Sequence, residues 1–111
     1  MNIKVRKAGK ATILDLTGPL KMGEAVEACR EQVEELMGGG TKNIAINLAG
    51  VPEMDSSGIG ALVRAFSTLK QGGGKCKFFA APKRVKQTLK MVRLDTVLDL
   101  AEDEQTALAG F

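Results

Sequence analysis

NIAINLAGVPEMDSSGIGALV, residues 43–63, contains an apolar run, a polar break and the start of a second apolar pattern. The run NIAINLAGV (43–51) is short and β-compatible, suited to a buried strand. From Ile59 the spacing changes. Ile59, Leu62, Val63, Phe66 and Leu69 recur at three- and four-residue intervals, which is the stripe of an amphipathic helix. The break between them is MDSSGIG (54–60), with Asp55, Ser56 and Ser57 ahead of Gly58 and Gly60. Asp or Ser before a helix is the preferred N-cap, because its side-chain oxygen accepts an otherwise unpaired backbone N–H. Capping accounts for one such residue. It does not account for two glycines, which lower helix propensity but let another surface approach the backbone closely.

Outward from this stretch the same alternation repeats. NIKV and ATILDL (11–16) alternate apolar with polar residues and predict two strands joined by a turn at KAGK. TGPL (17–20) breaks the pattern. Residues 22–37 predict a helix whose apolar face is Met22, Val26, Cys29, Val33 and Leu36 or Met37, ended by GGG at 38–40. After the second helix, QGGGK (71–75) is a second stop, and CKFFAA (76–81) predicts a strand. Pro82 opens a third helix, where proline is tolerated in the first turn, with Val85, Leu89 and Val92 facing inward. TVLDL (96–100) predicts a last strand, and residues 101–110 a last helix carrying Ala101, Ala107 and Leu108. The order β-β-α-β-α-β-α-β-α predicts an α/β fold over residues 1–111. One domain is expected, with a mixed sheet of four to five strands and about four helices packed on it. Val63 and Phe66, read as core, should each cost about 2–5 kcal/mol on truncation to Ala.

Composition narrows the chemistry. The chain has 111 residues, 44% hydrophobic, with four Phe and no Trp or Tyr, so the core is aliphatic. There is no apolar signal-peptide core at the N-terminus and no stretch of the roughly 20 apolar residues that a membrane helix needs. A cytoplasmic protein without membrane insertion is expected. Cys29 and Cys76 are expected to be small buried hydrophobes rather than a disulfide. There is no His, which removes the commonest general base and metal ligand and makes a Ser-His-Asp triad impossible within the chain. No zinc or Fe–S ligand set is visible, and no cofactor is expected. The net charge of +3 is mild but uneven. Residues 70–93 carry Lys70, Lys75, Lys77, Lys83, Arg84, Lys86, Lys90 and Arg93 and no acid, whereas residues 95–111 carry five acids and no base. A solvated face partly neutralised by the acidic segment is the plainest reading, ahead of a docking surface for an acidic protein. Direct nucleic-acid binding is not expected, because no aromatic residues interleave with the bases.

The serines remain. A P-loop needs a Lys-Ser/Thr that is missing here, and the GxSxG elbow of serine hydrolases is also absent, so an enzyme is not expected. Two readings stay open: a helix cap, and a serine that receives a phosphate at a helix N-terminus. A phosphate would bring about −1.5 to −2 charge. Beside Asp55 it would turn a neutral contact surface into a hydrated anion and expel a docked partner.

ILDLTGPL, NIAINLAGVPEMDSSGIGALV and the β-β-α-β-α order resemble the STAS domain of bacterial anti-sigma factor antagonists, over nearly the whole chain. DSSG[IL]G after a strand is the most diagnostic piece. The resemblance implies that Ser56, the first serine, is phosphorylated by an anti-sigma factor that is itself a serine kinase. It implies that the unphosphorylated form binds this kinase and frees a sigma factor, and that a serine phosphatase resets the cycle. Transcription regulation by partner switching, of the stress-response kind, would follow. Met54, Asp55, Ser57, Gly58, Ile59, Gly60 and Lys21 would then belong to the phosphosite motif and partner interface, with Leu62 as support. Weak self-association is a further expectation. Two positions depart from the family pattern. Lys21 stands where the family often has Asp, so it could attract the phosphate or change which kinase fits. Asn47 stands where the family often has Asp in DLSGV. The alternative reading is an unphosphorylated STAS scaffold subunit of a larger signalling or transport assembly, with Ser56 only a cap. A nucleotide-binding protein ranks third, because the sequence shows no purine-pocket signature.

Overall fold

The computed structural model describes all residues, Met1–Phe111. The strands are β1 (Asn2–Ala8), β2 (Ala11–Thr17), β3 (Asn43–Gly50), β4 (Lys75–Phe79) and β5 (Leu100–Ala101). The helices are α1 (Glu24–Gly38), α2 (Ser56–Gln71), α3 (Lys83–Met91) and α4 (Glu104–Ala109). The sheet order is β1-β2-β3-β4-β5, with β1 antiparallel to β2 and all other pairs parallel. The α/β class, the mixed five-stranded sheet and the four helices are as the sequence predicts.

Strands laid down in sequential order, joined by crossovers of one hand, put successive helices on one face. Buried residues of α1, α2 and α3 (Cys29, Val33, Leu62, Leu69, Val85 and Leu89) share one core with Leu14, Ile44, Ile46, Leu48 and Phe78 of the sheet. The alternate positions Ile13, Ala45 and Phe79 point to the other face, where α4 covers them with Ala107. This two-sided cover explains why β2 departs from its predicted alternation. Ala11, Thr12, Ile13 and Leu14 are all buried, because β2 is an interior strand with helices on both faces. β1 is the edge, and Val5 is correspondingly exposed.

The two triple-glycine stops work alike. Gly40 and Gly73 take left-handed φ of 95° and 84°, and the chain then turns back so that Thr41 N–H donates to Leu36 and Gly74 N–H to Leu69. Several predicted boundaries shift. Met22 lies ahead of α1 and is 77% exposed, because its backbone is drawn to the start of α2. Val92 is the C-cap of α3 and exposed rather than inward-facing. Pro82 is the N-cap of α3 and not its first turn. β4 starts at Lys75 and stops at Phe79, because Ala80 turns to a left-handed φ of 58°. In TVLDL only Leu100 pairs as strand, while Leu98 packs into the core from the preceding turn. Ala101 belongs to β5, and α4 begins only at Glu104, after Asp103 caps it. Val63 and Phe66 are half-buried on the flank of α2, so the large truncation cost predicted for them belongs to Leu62 and Leu69 instead.

The basic run is partly neutralised by the acidic segment, through Lys77–Asp99 at 2.5 Å and Lys86–Glu102 at 2.8 Å. No helix is long and apolar enough to cross a membrane.

Candidate functional site

At the carboxyl ends of β2 and β3 the chain makes two loops that lie against each other. Leu20 N–H donates to Glu53 O at 3.0 Å, Asp55 N–H donates to Leu20 O at 3.3 Å, and Leu20 pairs with Met54 as an isolated parallel bridge. Leu20 and Met54 are both buried, so the apolar side of this contact is core. Met54 therefore supports the site from below and presents almost no surface, at 8% exposure.

The cap of α2 is Asp55. One carboxylate oxygen accepts Gly58 N–H at 2.9 Å, and the other accepts Met22 N–H at 3.0 Å. One side chain thus satisfies an orphan donor of the helix and pins the β2–α1 loop to it. The Met22 and Gly58 amides hold the Asp55 carboxyl below the usual carboxylate range. A depressed native value means that this stabilisation is fully present above the unfolded-state value, about pH 4, and is lost as pH falls through the lower native value. Asp55→Asn should keep the Gly58 contact and lose the Met22 contact, since an amide nitrogen cannot accept. The expected result is a lower melting temperature at pH 7 and a shallower fall in melting temperature below pH 4. Parallel melting curves against pH for the two proteins would remove Asp55 as the source.

Because Asp55 caps the helix, neither serine does. Ser56 and Ser57 are the first two residues of α2, and the side-chain cap hydrogen bond is made by Asp55 and by neither hydroxyl. Their surroundings differ. Ser56 is exposed. Ser57 is half-buried at the end of a groove of about 370 Å³ between α1 and α2, floored by Val26, Cys29, Val33 and Ala65. Burial pushes the Cys29 thiol up to about 11, so at neutral pH it is a neutral apolar lining group and not a nucleophile.

The two glycines also separate. A Cβ on Gly58 would lie 2.1 Å from Leu20 O, so this glycine admits the β2–α1 loop of its own chain. A Cβ on Gly60 would meet nothing within 4 Å, and Gly60 is exposed at the groove. Ile59 is half-buried and packs against the main core.

Lys21 is in the same place, paired with Glu53. Arg84, from the first turn of α3, reaches the second Glu53 oxygen at 3.4 Å. Neither Glu53 nor Arg84 stood out in the sequence beyond the basic run, because the ion pairs join two loops and the start of a helix that are far apart in the chain. Asn47 is not part of this site. It alternates with Ile46 and Leu48 on β3 and so faces the opposite side of the sheet. There its amide donates to Asp15 at 2.8 Å, and Asp15 is gripped by the Arg6 guanidinium at 2.7 and 3.1 Å. Arg6 also holds Glu104 at 2.5 Å, so this second cluster ties α4 to the β1–β2 edge. Arg6 keeps the Asp15 carboxyl low.

The architecture has clear counterparts among solved structures. A Thermotoga maritima protein solved as a candidate anti-sigma factor antagonist superposes with a TM-score of 0.90 at 19% identity, over 97% of this chain and 92% of that one. A STAS domain anti-sigma-factor antagonist from Planctomyces limnophilus gives 0.82 at 23%, over 97% and 96%. The Bacillus cell fate determinant SpoIIAA in its phosphorylated form gives 0.73 at 20%, over 97% of each. At these identities the likeness concerns the fold. The sequence itself carries the assignment further, since the model of the STAS domain matches residues 2–107: this chain belongs to the STAS domain family.

Proposed function

We propose that this domain is an anti-sigma factor antagonist. In its unphosphorylated form it binds a serine-kinase anti-sigma factor and frees a sigma factor. The kinase then transfers the terminal phosphoryl group of ATP to Ser56 Oγ, with loss of the hydroxyl proton and release of ADP, and the complex dissociates. A serine phosphatase restores the free hydroxyl by hydrolysis. The domain is a regulator rather than an enzyme, and it contacts partner proteins rather than nucleic acid.

The observation that carries this reading is the division of labour at the start of α2. Asp55 takes the capping role, leaving Ser56 exposed and its hydroxyl uncommitted to the cap on a rigid helix end. Ser57, recessed in the α1–α2 groove, is the less accessible of the two. The phosphorylated and unphosphorylated forms of SpoIIAA, both of the same fold, add support.

The test is titration of the serine-kinase anti-sigma factor from the same genome against three proteins. Ser56→Ala should bind as the parent does and should lose less than about 0.5 kcal/mol of stability, because it removes no cap. Ser56→Asp should bind about 30-fold or more weakly, because an unpaired charge would be buried under the partner. Equal affinities for Ala and Asp variants would reject the switch and favour the scaffold-subunit reading, in which Ser56 plays no part in association.

A further inference from the structure

We propose that Lys21 and Arg84 form a cation clamp that closes on a phosphate carried by Ser56, exchanging Glu53 for it. The inference rests on the phosphoswitch reading and adds where the phosphate goes once it is attached. Glu53 is a shared counter-ion: one oxygen holds Lys21, from the β2–α1 loop, and the other holds Arg84, from α3. The Glu53 side chain is only 29% exposed, whereas those of Lys21 and Arg84 are 51% and 74% exposed and have no other ionic partner. One carboxylate therefore serves two cations, and the Arg84 contact at 3.4 Å is loose. Such cations are free to change partner.

Chain connectivity and helix geometry make Ser56 the candidate partner. The backbone on either side of Lys21 is tied to Asp55, through Leu20 O on one side and Met22 N–H on the other, so Lys21 runs beside the residue preceding Ser56. Helix geometry sets the direction at 100° per residue. Gly58, Leu62, Ala65 and Leu69 face the sheet, and Ser57, Ala61, Arg64 and Thr68 line the groove toward α1. Ser56 then falls between solvent and the flank away from α1. The crossover order places α3, with Arg84, on that flank. A phosphate of about −1.5 to −2 charge outcompetes a single carboxylate for two cations, and a guanidinium binds it with two parallel hydrogen bonds. The anion is then held by its own chain, and Glu53 is left as an uncompensated acid beside it. The partner surface changes by both charges.

The experiment installs phosphoserine at position 56 during translation, without any kinase, and follows its second ionisation by phosphorus NMR. A kinase-independent phosphate keeps this test separate from the switch itself, which the binding titration decides. The expected second pKa lies below the ordinary value of about 6. Lys21→Ala with Arg84→Ala should raise it by about half a unit or more, and Glu53→Gln should lower it further by removing the competing charge. Lys21 and Arg84 are exposed and Glu53 is half-buried, and circular dichroism confirms the fold of each variant. The same titration in the parent and in the double variant overturns the proposal. So does a phosphoserine placed at 57 that responds to the double variant as strongly as one at 56.

Discussion

Gly58→Ala should lose about 3 kcal/mol of folding stability, while Gly60→Ala, two residues along the same helix, should gain about 0.5–1 kcal/mol. In an isolated helix both changes would help, because alanine has the higher helix propensity. The difference lies in what the new methyl meets. At position 58 it would sit 2.1 Å from the Leu20 carbonyl oxygen, 3.1 Å from the Leu20 carbonyl carbon and 3.1 Å from Met54 Cβ. The nearest obstacle is backbone, held by Asp55 N–H and by the Leu20–Met54 bridge, and it cannot swing aside as a side chain would. Either the β2–α1 loop moves off α2 or the helix start shifts, and each route breaks the Asp55–Met22 contact. At position 60 the methyl would enter open space beside the groove. Urea denaturation of the two variants measures both signs. A Gly58→Ala protein as stable as the parent would mean that the loop is not fixed where the structure places it.

Phe78→Ala should be the most costly single truncation, at about 3–5 kcal/mol. Phe78 is fully buried near the end of β4, paired with Ile46 of β3 on one side and Leu100 of β5 on the other. Its ring fills the space under the helices in a core with few aromatics, so neighbouring aliphatic side chains cannot close the cavity. Against a typical domain stability of about 5–15 kcal/mol, this is a large share. Phe66→Ala supplies the contrast. That ring is half-buried on the flank of α2 with the Lys70 ammonium 5.7 Å from its centroid, and its loss should cost about 1–2 kcal/mol. Phe78→Leu, at about 1–1.5 kcal/mol, keeps the comparison measurable should the alanine variant fail to fold. An equal loss at positions 66 and 78 would show that β4 is not the centre of the core.

Local sequence sufficed for the element order. Periodicities of two and of three to four, with glycine stops at 38–40 and 72–74, are written in neighbouring residues. They placed Asp55–Gly60 between a strand and a helix, and so made the serines a site before any contact was known. The position of Asn47 on the far face was not read from the sequence, where it stood out only as a departure from the family pattern; its pairing with Asp15 places it there. Boundaries near residues 92–103 were less so, because a two-residue strand and a helix of six residues leave too short a pattern.

What the tertiary structure alone decided is which of several suitable groups takes each role. Asp55, Ser56 and Ser57 all have the chemistry of a cap. Asp55 wins because its second oxygen also receives Met22 N–H, from a loop more than thirty residues earlier. Gly58 and Gly60 read alike, and only the approach of Leu20 separates them. Lys21, Glu53 and Arg84 are brought together because the parallel order β2-β3-β4 sets the loops at their carboxyl ends side by side. Propensity and periodicity act over a few residues and are carried by the sequence. Caps shared between loops, close backbone approaches and ion pairs depend on which strands become neighbours, and only the folded sheet fixes that.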